Sequence, residues 1–250
     1  MTTVLEGRRI IVTGAATGIG AAAVEVLTAA GAKVAATYHN TKPKKETSAS
    51  WIHCDVTDQE SVETAFGEAV EALGGLDVLI HAAGLWAAGV PGHIDVANIH
   101  KMIDVNFTST VLTNQVAYSL MKETGGQIVN FGSSEGVSGS KISATYAASK
   151  AAVHSWTRSV ARAWAADNVT VNAVAPAVAT PGADRMREFL GPEGAVQFEQ
   201  QLKMMIPLGG QLGDPATDLG PVLVFLAGDG ARFITGQFLS VTGGLLMVGG

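Results

Sequence analysis

The most restrictive feature of the chain is its alternation of short apolar runs with longer segments of helical period. The apolar runs lie at residues 9–13, 33–38, 51–54, 77–82, 127–132, 169–174 and 237–241. The segments of helical period lie at residues 18–30, 58–73, 96–122, 145–166 and 216–227. Thr57 and Glu60 have the spacing of a capping box at the start of the second segment. Strands that alternate with helices form βαβ units, so the pattern predicts an α/β fold: a doubly wound parallel sheet of about seven strands flanked by helices.

Length and composition limit the class of protein further. A chain of 250 residues suits a single domain that spans residues 1–250. The chain is 47% hydrophobic and 15% charged, against about 25% charged in ordinary soluble proteins, which favours a sheet buried on both faces. Its net charge of -6, without a basic stripe, argues against nucleic acid as a partner.

The cysteine, histidine and apolar patterns bear on compartment and metal binding. Cys54 is the one cysteine, which excludes an internal disulfide, and the six histidines lack metal-ligand spacing. The first residues do not resemble a signal sequence, and no apolar run reaches the ~18 residues that span a bilayer. We therefore expect a cytoplasmic protein with no membrane partner and no metal.

Two segments interrupt the alternation. Residues 40–50, with Pro43 and three lysines, are too short and polar for a full crossover helix. Residues 179–213 combine prolines and glycines with apolar side chains such as Phe189 and Met204. An apolar insertion bounded by helix breakers predicts a lid over a substrate site, and an ordinary surface helical hairpin is the alternative.

A glycine-rich loop at residues 13–20 joins the first apolar run to the first helical segment. Gly14 can form the tight turn, Gly18 lets the main chain approach a pyrophosphate, and Gly20 permits close helix packing. The helix N-terminus adds free N–H groups and a partial positive charge. The loop therefore predicts a dinucleotide-binding site, and it is not a P-loop because no Gly-Lys-Ser/Thr follows.

Tyr146 and Lys150 stand four positions apart in a run without Pro or Gly. On a helix this spacing puts both side chains on one face. An ammonium about 4 Å from the phenol, at an effective dielectric constant of about 20, favours the phenolate by roughly 4 kcal/mol, or about 3 pK units. The pair therefore predicts a tyrosine that exchanges protons near neutral pH.

Together these motifs resemble those of the short-chain dehydrogenases/reductases. The Thr-Gly-x-x-x-Gly-x-Gly pattern of that family matches at residues 13–20, and its Tyr-x-x-x-Lys pattern matches at Tyr146 and Lys150. Its preceding serine matches at Ser133, and its helical asparagine matches at Asn106. The similarity runs over essentially the whole chain. It implies a Rossmann fold and hydride transfer between a nicotinamide cofactor and a carbonyl or alcohol substrate.

The resemblance also implies a role for each catalytic candidate. Tyr146 would be the general acid/base, and Lys150 would lower the pKa of Tyr146 and bind the nicotinamide ribose. Ser133 would hydrogen-bond the substrate oxygen, with Ser134 as the competing candidate. Asn106 would hold a water that links Lys150 to solvent, and a buried amide that bridges helix backbone is the alternative.

The cofactor contacts follow from the same resemblance. The expected cofactor-binding residues are Gly14, Thr17, Gly18, Ile19, Gly20, Tyr38, His39, Asn40, Asp55, Val56, Ala82, Ala83, Gly84, Tyr146, Lys150, Val178 and Thr180. The chain departs from the family pattern at His81, where Asn is common, at Ala177, where Gly is usual, and at Thr242, where Asp is usual. A Cβ at Ala177 is expected to restrict the hinge of the lid.

The choice of cofactor and substrate depends on residues around this site. No acidic residue follows the second strand; the polar and basic residues there are Tyr38, His39, Asn40, Lys42, Lys44 and Lys45. These suit a 2′-phosphate, which predicts NADP(H) rather than NAD(H), and a merely solvated lysine loop is the alternative. The expected substrate segments, 85–93, 135–143 and 179–213, are mainly apolar. They predict a neutral, mostly apolar ketone, aldehyde or secondary alcohol.

Other functions and the oligomeric state complete the expectations. A catalytically inactive dinucleotide-sensing regulator on the same fold is the main alternative, and an epimerase or dehydratase is a third. The apolar content of segment 145–166, which includes Trp156 and Trp164, joins the family resemblance in predicting a homotetramer. Simple core packing of that helix is the alternative.

Overall fold

One parallel sheet organises the chain. The structure is a computed structural model that describes residues 4–43 and 47–247. The strands are β1 (Arg9–Thr13), β2 (Lys33–Tyr38), β3 (Ser50–His53), β4 (Val78–His81), β5 (Gly126–Phe131), β6 (Val169–Pro176) and β7 (Phe238–Val241). They form a seven-stranded sheet in the order β3-β2-β1-β4-β5-β6-β7, and every neighbouring pair is parallel. The predicted doubly wound parallel sheet is confirmed.

Helices cover both faces of this sheet. They are α1 (Gly18–Ala29), α2 (Gln59–Leu73), α3 (Val96–Ile103), α4 (Ser109–Met121), α5 (Glu135–Ser138), α6 (Ala144–Ala163), α7 (Pro181–Met205) and α8 (Gly220–Ala227). The chain winds outward from β1 to β3 and then returns to β4, beside β1. This reversal opens a crevice at the carboxyl ends of β1 and β4, where open α/β sheets bind ligands.

The core lies in two layers because β1 is buried on both faces. Ile10 and Val12 pack in the layer that contains α1 and α8, whereas Ile11 packs with Phe66 of α2 in the other. Successive side chains of a strand point to opposite faces, so an unbroken apolar run is what a fully covered strand requires. Each such side chain contributes about 1.5–3 kcal/mol by burial.

The predicted cap of α2 is wrong by one residue. The Asp58 carboxylate, not the Thr57 hydroxyl, accepts a hydrogen bond from the Ser61 N–H, at 3.1 Å. The Thr57 hydroxyl donates instead to Asp55, at 2.7 Å. Either residue type can cap a helix, so the turn that precedes the helix decided which one does.

The predicted helix over residues 96–122 is interrupted. A π-helical turn, Asp104–Thr108, separates α3 from α4. It carries Asn106, whose side chain is fully buried. A π-turn inserts an extra residue into a helix and often occurs at functional sites, and the apolar period of the sequence does not reveal it.

The expected lid segment forms the long helix α7, which is kinked. Gly191 interrupts the helical backbone with φ 69°, and Pro192 follows it. Phe189 packs edge-on against Trp86, with ring centroids 6.4 Å apart. Met204 and Met205, expected in a substrate pocket, are 78% and 54% exposed.

Three other expectations concern the second crossover, membrane-spanning helices and metal sites. Residues 40–43 and 47–49 contain no helix, as the short second crossover predicted, while Lys44 and Lys45 lie outside the described residues. Among the described residues no helix combines the length and apolar character needed to cross a membrane. Within the same ranges, no three His, Cys, Asp or Glu side chains are grouped so as to hold a metal ion.

Candidate active site

A cavity of about 640 Å³ opens at the carboxyl ends of the central strands. Its lining includes the predicted residues Gly14, Thr17, Gly18, Ile19, Tyr38, His39, Asn40, Asp55, Val56, Ala82, Ala83, Gly84, Ser133, Tyr146, Lys150, Val178 and Thr180. Gly20 and Asn106 are buried and do not line the cavity. The strands of a parallel sheet all end at the same edge, and this brings residues that are distant in sequence into one cavity.

The glycine loop has a geometry that only glycine permits. Gly14 has φ +61°, and a Cβ there would lie 2.6 Å from the Ala83 Cα. A Cβ at Gly20 would lie 2.3 Å from the Gly14 carbonyl oxygen, so this glycine packs against the loop itself. Thr17 caps α1 without a side-chain hydrogen bond. The N–H groups at the start of α1 are therefore available to a phosphate, which fits a dinucleotide.

The far end of the cavity carries a histidine and a carboxylate. His39 Nε2 lies 3.7 Å from Asp55 Oδ2, and both side chains are more than a third exposed. Hydrogen bonds from the Thr57 hydroxyl and N–H lower the pKa of Asp55. The structure therefore brings an ionised carboxylate close to the end of β2, although β2 itself ends without one.

Ser133, Tyr146 and Lys150 converge at the other end. Ser133 follows β5, and its hydroxyl lies close enough to the Tyr146 hydroxyl to lower the Tyr146 pKa. Lys150 is buried, with Nζ 5.9 Å from the centre of the Tyr146 ring, and it donates a hydrogen bond to the Phe131 carbonyl at 2.9 Å. Ser133, rather than Ser134, lines the cavity. The i to i+4 spacing on α6 brings the two α6 residues together, as the helix geometry requires.

The pKa values of this pair differ from the expectation based on their spacing. Burial, aided by the Glu135 carboxylate and opposed by the Ser133 hydroxyl, raises the pKa of Tyr146 to about 12. Burial also lowers the pKa of Lys150 to about 8. The net shift of the Tyr146 pKa is therefore upward, opposite to the direction predicted from the spacing, and burial is its largest cause. Removing a phenolate from water costs more free energy than the Ser133 hydroxyl restores.

The Asn106 side chain is hydrogen-bonded to the main chain of the neighbouring loop. Its Oδ1 accepts from the Leu85 N–H and its Nδ2 donates to the Leu85 carbonyl, both at 2.9 Å. A Cβ at Gly84 would lie 3.2 Å from Asn106 Oδ1 and 3.4 Å from Lys150 Nζ. Asn106 thus holds the 84–85 turn beside Lys150: its amide bridges loop backbone rather than helix backbone, and its role in holding a water stays a prediction.

His81, one of the departures from the family pattern, lies behind the same turn. Its ring is buried and hydrogen-bonded to the hydroxyls of Thr13, Thr113 and Ser109. The Thr13 hydroxyl also accepts from the Ala83 N–H at 3.2 Å. Burial lowers the pKa of His81 to about 3, so the ring is neutral and joins the turn to the core.

The other departures cause little disturbance. Asn168 is the non-glycine residue with positive φ in the described ranges, so Ala177 adopts a backbone conformation open to any residue. The Thr242 hydroxyl accepts from the Leu246 N–H at 3.1 Å and stabilises the turn after β7.

Some cavity residues were not singled out from the sequence. Lys101 and Arg185 line the cavity, and Arg185 Nε donates at 3.2 Å to the carbonyl of Trp86, a lining residue from the predicted substrate segment 85–93. Glu135 lies nearby, where it accepts a hydrogen bond from Ser143, and burial raises its pKa. Isolated charges in helical segments usually face solvent, so only their convergence in space marks these residues.

The fold is a Rossmann sheet, and its cavity lies at the carboxyl edge, where such sheets bind dinucleotides. A family model described as enoyl-(acyl carrier protein) reductase matches residues 14–246. The chain belongs to the short-chain dehydrogenase/reductase family. It is an oxidoreductase of that family, which uses NAD(P)(H) and acts on CH–OH or C=O groups.

Relatives of known name are similar over nearly their full length. The 3-oxoacyl-(acyl-carrier-protein) reductase FabG of Vibrio cholerae is 33% identical over 252 residues, which cover 98% of this chain and 99% of that protein. The cis-4-hydroxycyclohexanecarboxylate dehydrogenase of Sinomonas cyclohexanicum is 35% identical over 252 residues, with 96% and 97% covered. The ligand-free aldohexose dehydrogenase of Thermoplasma acidophilum has a TM-score of 0.88 at 28% identity, with 100% of each chain covered.

Proposed function

We propose that the protein transfers hydride between a nicotinamide cofactor, with NADP(H) favoured, and a neutral, mostly apolar ketone, aldehyde or secondary alcohol. Tyr146 is the general acid/base. The observation that carries this proposal is that Ser133, Tyr146 and Lys150 line one cavity with the glycine loop. A binding-only regulator would not need these three side chains together.

The cofactor fits the side of the cavity where the glycine loop presents main-chain atoms without side chains. The glycine loop and the N-terminus of α1 would hold its pyrophosphate, and Asp55 with Val56 would contact its adenine. Lys150 would bind the nicotinamide ribose, with Val178 and Thr180 near the carboxamide. The bound dinucleotide supplies or accepts the hydride.

Ser133 and Tyr146 handle the substrate oxygen. The Ser133 hydroxyl accepts a hydrogen bond from the Glu135 N–H at 3.1 Å, which leaves its proton for an oxygen in the cavity. Tyr146, with its raised pKa, holds its proton at neutral pH and can deliver it when a carbonyl is reduced. The reverse reaction needs a phenolate and therefore becomes faster as the pH rises.

The preference for NADP(H) rests on the residues after β2. His39 and Asn40 offer hydrogen-bond donors, and no acidic side chain follows β2 directly. Titration of the cofactor-free protein with each reduced dinucleotide tests this. NADH binding about tenfold more tightly than NADPH would reject the preference, a difference of about 1.4 kcal/mol.

The substrate side favours an apolar molecule. Trp86 and Phe189 form an aromatic contact between the cavity wall and α7. We propose that α7, within segment 179–213, acts as a lid over this side and that its Gly191 kink absorbs the motion. Arg185 also lines the cavity and donates a hydrogen bond to the Trp86 carbonyl, so one positive charge lies beside this apolar contact.

A substrate screen tests the proposed function directly. Ketones, aldehydes and secondary alcohols are offered with each dinucleotide while the absorbance of the reduced nicotinamide is followed. We expect turnover of apolar carbonyls or alcohols. Strong turnover of a charged sugar phosphate with none of any apolar carbonyl would overturn the substrate class, and no turnover of any compound would overturn the catalytic role.

The oligomeric state and compartment are proposals of the same kind. Trp164 stacks on Tyr118 at 4.4 Å and contacts Trp156, so these rings pack within one chain. Support for a homotetramer comes instead from Phe233, which is 98% exposed, and from the family resemblance. Light scattering that finds a monomer would contradict it. The buried thiol of Cys54 supports a reducing, cytoplasmic setting.

A further inference from the structure

His154 occupies the space beneath the turn that carries Ser133. It lies on α6, one helical turn after Lys150, and the residue is 6% exposed. A Cβ at Gly132 would lie 2.1 Å from His154 Nε2, and a Cβ at Gly136 would lie 2.8 Å from its Cε1. The glycines on both sides of Ser133 therefore leave room for this ring.

The ring makes a directed contact with the main chain of Ser133. The Ser133 N–H donates a hydrogen bond to His154 Nε2 at 3.2 Å. Nε2 can accept only when it carries no proton, so His154 must be neutral and protonated on Nδ1. The Phe238 ring of β7 packs edge-on against the His154 ring, with the two ring centroids 4.3 Å apart.

Three hydrogen bonds hold Ser133 in place. Its N–H is bound by His154, its carbonyl accepts from the Gly136 N–H at 3.0 Å, and its hydroxyl oxygen accepts from the Glu135 N–H at 3.1 Å. The last two contacts come from the short helix α5 that follows. His154 binds the Ser133 main chain directly to α6, the helix that carries Tyr146 and Lys150.

We propose that His154 is a positioning residue: its neutral ring fixes the Ser133 main chain to α6 and thereby sets the distance between the Ser133 and Tyr146 hydroxyls. The inference rests on the proposed function, because it assigns Ser133 and Tyr146 to the same substrate oxygen. A misplacement of about 1 Å at such a site can cost on the order of a hundredfold in rate.

The charges around the ring keep it in the accepting form. Lys150 and Arg158, both on α6, face it, while the Ser133 turn presents main-chain atoms and β7 presents the Phe238 ring. Glu135 on that turn is engaged with Ser143. Burial, together with the two cations, lowers the pKa of His154 to about 4. The contact therefore persists through the neutral range.

Nitrogen spectra test the contact without any substrate. Long-range ¹H–¹⁵N spectra of the histidines, with His154→Gln to identify the signals, should show an Nδ1-protonated ring at pH 6 to 8. The Ser133 amide proton should exchange slowly in the parent and in His154→Gln, whose side-chain oxygen can still accept, and quickly in His154→Leu. A ring protonated on Nε2, or equal exchange in all three proteins, would overturn the proposal.

Kinetics then test the consequence. We expect His154→Leu to lower kcat by roughly ten- to a hundredfold with cofactor affinity unchanged, and His154→Gln to recover most of it. Phe238→Leu is the packing control: it removes a neighbouring ring but no hydrogen bond, so it should lower thermal stability without this loss of kcat. If His154→Leu and His154→Gln lower kcat equally, and in proportion to their loss of thermal stability, the role of His154 is only structural. If the parent turns over no carbonyl, the proposed function fails, and the spectra still decide whether His154 holds Ser133.

Discussion

The glycine loop and the junction of β5 with α6 form two walls of one cavity. The two walls differ in chemistry. The loop presents main chain: Gly14 and Gly18 have positive φ, and no ionisable side chain lies between Gly14 and Gly20. The junction presents buried ionisable groups, with pKa values of about 12 for Tyr146, about 8 for Lys150 and about 4 for His154. The loop should therefore be sensitive to a single added methyl group and insensitive to pH, whereas the junction should be sensitive to the loss or gain of a proton.

The largest expected effect is at the junction. Tyr146→Phe removes the exchangeable proton and keeps the ring, so kcat should fall by about 10²–10⁴-fold. Dinucleotide affinity, measured by quenching of intrinsic fluorescence, should change little because the glycine loop is intact. A variant that keeps more than a tenth of the parental kcat would contradict the assignment of Tyr146 as the acid/base.

The loop should respond to a change in shape alone. Gly14→Ala places a Cβ 2.6 Å from the Ala83 Cα at a φ of +61°, so we expect unfolding to become easier by about 1–3 kcal/mol and the dinucleotide to bind more weakly. Denaturant unfolding and cofactor titration measure the two effects.

Gly67→Ala in α2 is the matched control for this substitution. A Cβ there meets nothing within 4 Å, so the same change should stabilise the protein by about 0.5–1 kcal/mol. If both variants respond alike, the loop is not the constrained element described above.

Acid should lower the free energy of unfolding because the protein holds buried, neutral histidines. The pKa of His81 is lowered from 6.5 to about 3, so the unfolded chain takes up this proton first as the pH falls. The contribution of the neutral ring is complete above pH 6.5 and is lost below it by about 1.4 kcal/mol per pH unit, or roughly 2 kcal/mol at pH 5. Urea unfolding at pH 7.5 and 5.0 measures this, and His81→Asn should show a smaller difference. An equal difference in both proteins would exclude His81 as the cause.

The smallest effect is expected at the adenine end of the cavity. His39 is about half exposed, so its hydrogen bonds and charge are worth less than about 1 kcal/mol. His39→Ala should weaken NADPH binding a few-fold and leave NADH binding unchanged. His53→Ala, at a neighbouring ring outside the cavity lining, is the control. Equal weakening of both dinucleotides would remove His39 from the discrimination.

Part of this site was predictable because it depends on local spacing. The Tyr146 and Lys150 side chains share a face of α6 since helix geometry alone places residues i and i+4 together. The glycine loop follows a buried strand and opens a helix, and that order was visible in the apolar pattern. Such features need no knowledge of what lies across the molecule.

The remainder depended on what each side chain meets. The pKa of Tyr146 rises because the phenol is buried, and burial is a property of the packed chain. Asn106 bridges to Leu85 because a π-turn rotates it inward. Arg185 and His154 acquire their neighbours from segments far along the chain, so no local pattern marked them.

The sequence by itself determined the order of strands and helices and the residue types at the carboxyl edge of the sheet, because periodicity and backbone preference act over a few neighbouring residues. Only the tertiary structure decided which protonation states those residues hold and which of them touch. Desolvation and hydrogen bonding depend on atoms brought together from β5, α6 and β7, and these segments meet only when the chain is folded.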